Sequence, residues 1–264
     1  HSKTPFDAAD CPVLQVILSG GAYEAWAEGS RGLAPKDLAM NVALPEVDGR
    51  IIARAVSFKR AAAFDEATEV AVIRHEPVAD RIRFTADLAR AWTRLRAAAP
   101  EARRIAFVVA NYPNKDGRLG NGVGLDTAAG IATTFRCLRD AGYDLGQAPP
   151  LSGKAVAEMM RAGPTNASGA RHGGERFPLA DYKAFLGDLP EIVQREMCER
   201  WGAPEDDPFF ADGAFILPVQ RIGALALAVQ PARGYNIDPA SSYHDPALVP
   251  PHGYLAFYGW LRCA

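Results

Sequence analysis

"RIAFVVANYPNKDGRLGNGVGLDTAAG" runs from Arg104 to Gly130, and its reading decides the fold class. The apolar run up to Ala110 reads as a buried strand. Gly117, Gly120, Gly122 and Gly124 follow. Then Ile131, Phe135 and Leu138 recur at helical spacing, with Asp126 or Thr127 placed to cap the helix and Gly142 to end it. Upstream, Phe84, Leu88, Trp92 and Leu95 share a helical face, with arginines largely on the other. Helix, strand, glycine loop and helix over 83–142 is the alternation of an α/β protein. The expected fold is therefore α/β, with layered parallel or mixed sheets flanked by helices.

A strand that feeds a glycine-rich turn and a helix is a common phosphate cradle, so the loop is tested against that chemistry first. A P-loop ends its glycine run in lysine followed by Ser or Thr. Here Gly124 is followed by Leu125 and Asp126, so the signature fails. A Rossmann fingerprint sits tight against its strand, whereas "GNGVGLD" begins ten residues after Ala110 and in the wrong phase. An aspartate at the helix start also repels phosphate. Two readings stay open: glycines that turn a long surface loop, or backbone that lets a bulky non-phosphate ligand approach closely. Asn111, Asn114, Lys115, Asp116 and Arg118 offer that ligand polar groups.

Working outward, "PVLQVILSGG" (12–21) reads as a strand ended by glycines, and "AYEAWAEG" as a short helix. "LAMNVALPEVDGRIIARAVSFK" (38–59) carries two apolar runs separated by Pro45, Asp48 and Gly49, a turn signature. "TEVAVIRHEP" (68–77) is a further strand. The pattern weakens from 147 to 187, where "PTNASGARHGGERFP" reads as a surface loop. A helix follows over 190–201, with Pro190 in its first turn and Gly202 after it. "GAFILPVQRIGALALAVQP" reads as two short strands hinged at "QRIG". The domain division expected is 1–60, the end of one α/β region, and 61–264, an α/β region that holds the glycine loop.

With 264 residues, 48% hydrophobic and 23% charged, the chain has an ordinary globular composition. Its net charge of −2 gives no electrostatic reason to bind nucleic acid or an anionic membrane. Cys11, Cys137, Cys198 and Cys263 lie far apart with no CxxC, which favours a reducing cytoplasm over a zinc knuckle or disulfide scaffold. No apolar stretch is long enough to span a membrane, and no signal peptide is present. The chain starts at His1 rather than Met and ends in the strongly apolar "HGYLAFYGWLRCA". The first is compatible with a tag remnant, and the second, a buried-looking segment at a cut end, suggests an excerpt of a longer, multidomain protein.

Three further features carry possible chemistry. "ALPEVDG" places Glu46 and Asp48 beside a tight turn, on one side if the segment is extended. There they share a proton, bind a hard cation, or simply serve the turn. "RHGGE" (171–175) imitates a metal cluster, but one His and one Glu do not make a site. Residues 230–260 combine five prolines with Tyr235, Tyr243, His244, His252, Tyr254, Phe257, Tyr258 and Trp260. These aromatics are either core or an ordered functional loop.

Read together, "DLAMNVALPEVDGRIIARAVSFK" (37–59), "RIAFVVANYPNKDGRLGNGVGLDT" (104–127) and "GYNIDPASSYHDPALVPPHGYLAFYGWL" (234–261) resemble the large-subunit family of ATP-dependent cobaltochelatases. The magnesium chelatase H subunits form the related branch. The resemblance extends from about Pro12 to Trp260 and is weakest through 60–80 and 147–170.

It implies a subunit that binds a tetrapyrrole, in the cobalt branch the corrinoid hydrogenobyrinic acid a,c-diamide, and inserts Co²⁺ during cobalamin synthesis. ATP and Mg²⁺ would sit on AAA+ partner subunits, in keeping with the missing P-loop. Alternatives within the resemblance are a protoporphyrin-binding magnesium chelatase fragment, or a non-catalytic scaffold that docks the AAA+ subunits. Metal insertion removes ring N–H protons and strips water from a cation. Placement in the matching strings makes Glu46, Asp48 and His252 the candidate catalytic groups, with His252 also a candidate metal ligand. Asn111, Asn114, Lys115, Asp116 and Tyr254 are the candidate substrate contacts. The family's His-Gly-x-x-Glu-(Trp/Phe)-x-Pro-Gly-Lys segment follows the region similar to 234–261 and is not in this chain, and "HGGE" (172–175) does not replace it. The excerpt alone is expected to be inactive.

Overall fold

The computed structural model describes residues 10–111, 117, 119–167, 173–235 and 247–263. The chain divides into two compact units, His1–Ala98 and Ala99–Ala264. The division expected at 60/61 falls inside one strand, which runs Ile51–Asp65. A paired strand cannot be cut without losing its ladder, so the boundary moves to the end of the following helix.

Unit 1 contains β1 (Leu14–Leu18), β2 (Ile51–Asp65) and β3 (Val70–Pro77), in the order β1-β2-β3. β1 and β2 are parallel, and β2 and β3 antiparallel. Between the parallel pair lie α1 (Tyr23–Ala27), α2 (Pro35–Leu38), a π-helical turn (Ala39–Ala43) and α3 (Leu44–Val47). The first apolar run of 38–59 is thus helical, not extended. Pro45 comes directly after the π-helical turn in a continuous helical run, where the widened turn accommodates a residue without an N–H, and Gly49 leaves the helix at φ +76°. The unit closes with α4 (Ala79–Ala97).

The unit 1 core is small: Ile17, Ala55 and Phe58 are buried, with Trp26, Leu33, Val42, Ile52 and Val78 against them. Phe58 packs with Tyr23 and Trp26, the centroids 5.3 and 5.2 Å away. The helix expected from Phe84, Leu88, Trp92 and Leu95 forms as α4, yet none of its residues is buried.

Among the described residues unit 2 has two three-stranded sheets. One is ordered β4 (Ile105–Val109), β9 (Leu225–Val229), β8 (Val219–Ile222); the other β5 (Glu175–Pro178), β7 (Ala214–Leu217), β6 (Phe210–Ala211). "GAFILPVQRIGALALAVQ" holds three strands rather than two. Pro218, which lacks an N–H for the ladder, separates β7 from β8 and sends them to different sheets. The stretch 147–187, which gave a weak pattern, contains α6 (Gly153–Ala162), β5 and α7 (Leu179–Gly187). The remaining helices are α5 (Thr127–Asp140), α8 (Glu191–Trp201) and α9 (His252–Cys263).

β9, "LALAV", is the pivot. Its period-2 alternation turns Leu225, Leu227 and Val229 into a cluster with Val109, Ile131, Phe135 and Val156. Ala226 and Ala228 face the other way, into a cluster with Phe177, Tyr182, Met197, Phe215, Phe257 and Trp260. All five residues are buried, as a central strand covered on both faces requires. α9 seats on the alanine side, and Gly259 permits it: a Cβ there would lie 3.0 Å from ring carbons of both Phe177 and Phe185.

Candidate functional site at the carboxyl edge of β4 and β9

β4 and β9 are parallel, with Val109 opposite Val229, so both strands release the chain at the same edge. The N–H of Gln230 donates to the Val109 carbonyl at 2.8 Å and extends the pairing past the strand ends. In open α/β sheets this carboxyl edge is where ligands gather.

The glycine loop folds back here. Gly120 N–H donates to Ala110 O at 2.7 Å, and isolated bridges join Asn111 to Leu119 and Gly122 to Leu125. Gly120 and Gly124 adopt φ +67° and +72°, which explains two of the glycines as backbone necessities. Asp126 caps α5, its Oδ1 accepting from Ala129 N–H at 3.0 Å. A carboxylate already occupies the position that a phosphate would need, as the sequence suggests.

Asn111, just beyond β4, is 4% exposed, and among the described residues neither its Nδ2 nor its Oδ1 has a hydrogen-bond partner. Such a group is costly to leave buried and is retained for a reason. Asn114, Lys115 and Asp116 lie outside the described residues.

Beyond β9, Gln230 anchors three elements. Its carbonyl accepts from Asn166 Nδ2 at 2.7 Å, and its amide exchanges two hydrogen bonds with the Tyr258 hydroxyl, at 2.9 and 3.1 Å. Tyr254 packs on Tyr258, centroids 5.1 Å apart, and burial together with the neighbouring Tyr258 hydroxyl pushes its pKa up to about 12. Tyr254 also lines a small enclosed cavity of about 20 Å³, with Asn166, Asp207, Tyr235 and Gly253 among its other walls. Asn111 and Tyr254 thus belong to one edge of one unit, tied through Gln230.

Asp207 is buried, and each of its oxygens accepts from a backbone N–H: Phe209 at 2.9 Å and Gly253 at 2.8 Å. The second bond places a carboxylate on the first turn of α9. Burial raises its pKa against the pull of these bonds and of nearby His252. The Tyr235 hydroxyl is buried without a partner among the described residues, and its pKa is raised by burial and by the charge of Asp207.

His252 is fully buried, with both ring nitrogens engaged: Nδ1 with the Tyr182 hydroxyl at 2.6 Å and Nε2 with the Gly202 carbonyl at 3.1 Å. A carbonyl only accepts, so Nε2 carries the proton and Tyr182 donates to Nδ1. In this arrangement the imidazole has no lone pair left for a metal or a substrate proton. Its expected roles as ligand and base therefore give way to that of a clamp between α7, Gly202 and α9. Burial raises the Tyr182 pKa and keeps that donor protonated.

Glu46 and Asp48 belong to unit 1. Glu46 is exposed on α3, and Asp48, the residue after that helix, meets Arg50 Nη2 at 3.2 Å. The segment is helical, so the condition that would put both carboxylates on one side of an extended chain is not met. Among the described residues no three of His, Cys, Asp and Glu are grouped to hold a metal. Glu175 of "RHGGE" pairs with Arg221 at 3.1 Å, and His172 lies outside the described residues.

Sequence reasoning passed over Asp207, Asn166, Gln230 and Tyr182. Asp207 follows "PED" in an acidic run that reads as solvated surface, and only the fold buries it.

These features define, among the described residues, a mixed α/β unit with a polar, aromatic-lined strand edge. The CobN/Magnesium Chelatase family model matches residues 1–264, and the chain belongs to that family. It is 55% identical over 263 residues to the aerobic cobaltochelatase subunit CobN of Sinorhizobium sp., covering 99% of this chain and 20% of that protein. With the CobN of Pseudomonas aeruginosa identity is 45%, over 97% of this chain and 21% of that one. The chain thus spans about one fifth of the length of these curated relatives. Its fold is similar to the catalytic subunit of cobaltochelatase from Mycobacterium tuberculosis, with a TM-score of 0.81, 34% identity, and coverage of 96% of this chain and 21% of that one. Among the described residues no helix is long and apolar enough to cross a membrane.

Proposed function

We propose that this chain is a tetrapyrrole-binding part of a cobalt-inserting chelatase large subunit. Its substrate would be hydrogenobyrinic acid a,c-diamide, its metal substrate Co²⁺, and its compartment the cytoplasm. ATP with Mg²⁺ would be hydrolysed on AAA+ partner subunits. Similarity to two cobaltochelatase subunits at 55% and 45% identity favours the cobalt branch over a protoporphyrin-binding magnesium chelatase. The observation that carries the site is Asn111, whose amide is buried at the carboxyl edge without a partner among the described residues.

In this reading the Asn111 amide meets a peripheral amide or carboxylate of the macrocycle, and Tyr254 packs against the ring. Asn114, Lys115 and Asp116 of the loop would extend the polar contact along the rim. Glu46 and Asp48 remain candidates to receive ring protons or relay the cation, whereas His252 acts at a distance by holding Tyr182 and the start of α9 in place.

The test is a titration of the full-length subunit with hydrogenobyrinic acid a,c-diamide, followed by visible absorption. Saturable spectral change, weakened tenfold or more by Asn111→Ala and by Tyr254→Ala, is expected. No spectral change, or unchanged affinity in both variants, would remove the substrate-site assignment.

A further inference from the structure

β4 has β9 on one side and, among the described residues, no strand on the other. The Val109 carbonyl faces β9 and the Ala110 carbonyl faces outward to Gly120, so alternation turns the N–H and C=O of Ala106 and Val108 to the open edge. Ala106 is exposed and Val108 is 40% exposed. A cavity of about 320 Å³ runs along this edge, walled by Phe107 to Ala110 on one side and by Gly120, Leu125, Thr127 and Ile131 on the other. Val123 and Leu125 are also exposed nearby.

A bare strand edge with apolar neighbours is a template for another strand, and proteins usually blunt it with lysine, proline or a bulge. "RIAFVVA" has none of these devices inside the strand, and its five residues pair with β9 without a register shift. Relatives of this chain are about five times as long. We propose that the open edge of β4 takes a further strand: an extended, alternately apolar segment from another region of the full-length large subunit. Main-chain bonds to Ala106 and Val108 would supply its affinity, and its apolar side chains would fill the groove before α5.

Amide hydrogen exchange resolved to single residues tests this on the full-length subunit. Ala106 and Val108 N–H groups should exchange at least 100-fold more slowly than exposed amides, independently of protein concentration. Val108→Pro removes an outward N–H without touching the β9 ladder, so it should restore fast exchange at Ala106 while Phe107 stays protected. Fast exchange at Ala106 and Val108 in the unmodified subunit would overturn the proposal. Protection that appears only at high protein concentration would assign the edge to a second copy and overturn it as well.

Discussion

The two units of this chain carry similar proportions of apolar residues and use them in opposite ways. In unit 2 the alternation of "LALAV" is answered on both sides, leucines and valine by α5 and α6, alanines by the second sheet and α9. In unit 1 the pattern is answered only around Ile17, Ala55 and Phe58. Every residue of β3 is exposed, as are Phe64 at the end of β2 and Phe84, Trp92 and Leu95 on α4. Amphipathic patterning determines that a segment becomes a strand or helix; whether its apolar face is covered depends on what lies opposite. The same periodicity thus marks strands and helices in both units, but extensive burial of their apolar faces in unit 2 alone.

The contrast is sharpest in core truncations. Phe257→Ala, a fully buried ring on α9, should destabilise unit 2 by about 3–5 kcal/mol, from lost transfer energy and the residual cavity. Urea denaturation of the full-length subunit, followed by a probe local to this unit, reads the effect. A loss below about 1 kcal/mol would mean that α9 is not seated as described. Next in size, Asp207→Ala leaves the N–H groups of Phe209 and Gly253 without their acceptor and should cost about 2–3 kcal/mol.

Asp207 also gives unit 2 a pH signature. Its carboxyl pKa is raised in the folded state, so the folded chain binds its proton more tightly than the unfolded chain. Stability from this group is full below the ordinary carboxylate pKa and falls as pH rises towards the folded value. Exposed Glu205 acts oppositely, since Lys183 lowers its pKa. The difference between wild type and Asp207→Asn isolates the first effect: the wild-type slope should be more negative as pH rises above the ordinary carboxylate pKa of about 4. Parallel curves would remove the assignment.

Much of this architecture was legible. The strand–glycine loop–helix reading of 104–142, the Asp126 cap and the helix before Gly202 need only local rules, because caps and turns are satisfied by neighbours in sequence. What was missed depends on distant partners. "LPEVDG" reads as a turn between two apolar runs because Pro45, Asp48 and Gly49 are turn residues, and only the preceding π turn shows how a helix accommodates the proline. His252 was read as a ligand from its surroundings in sequence, but its two partners lie 70 and 50 residues away. Asn111 was selected for its position after a strand; that its amide is buried and unpaired is a three-dimensional fact.

Asn111 sets stability against binding. Asn111→Leu removes a buried amide that has no partner among the described residues, so it should leave the fold unchanged or stabilise it by up to about 1 kcal/mol. Corrinoid affinity in the full-length subunit should nevertheless fall about tenfold, the equivalent of one lost polar contact of about 1.4 kcal/mol. If stability instead fell by about 2 kcal/mol, the amide would be serving the fold rather than a ligand.

The smallest effect comes from unit 1. Phe84 is 41% exposed and stacks under Arg54, whose guanidinium carbon lies 3.5 Å from the ring centroid. Phe84→Ser removes that contact and a half-solvated ring but opens no enclosed cavity, so the 264-residue chain should lose less than about 1 kcal/mol. The same substitution in the full-length subunit discriminates between two explanations of the bare α4 face. An unchanged small loss means that the face is solvated there too, whereas a loss of about 2 kcal/mol or more means that the longer protein covers it.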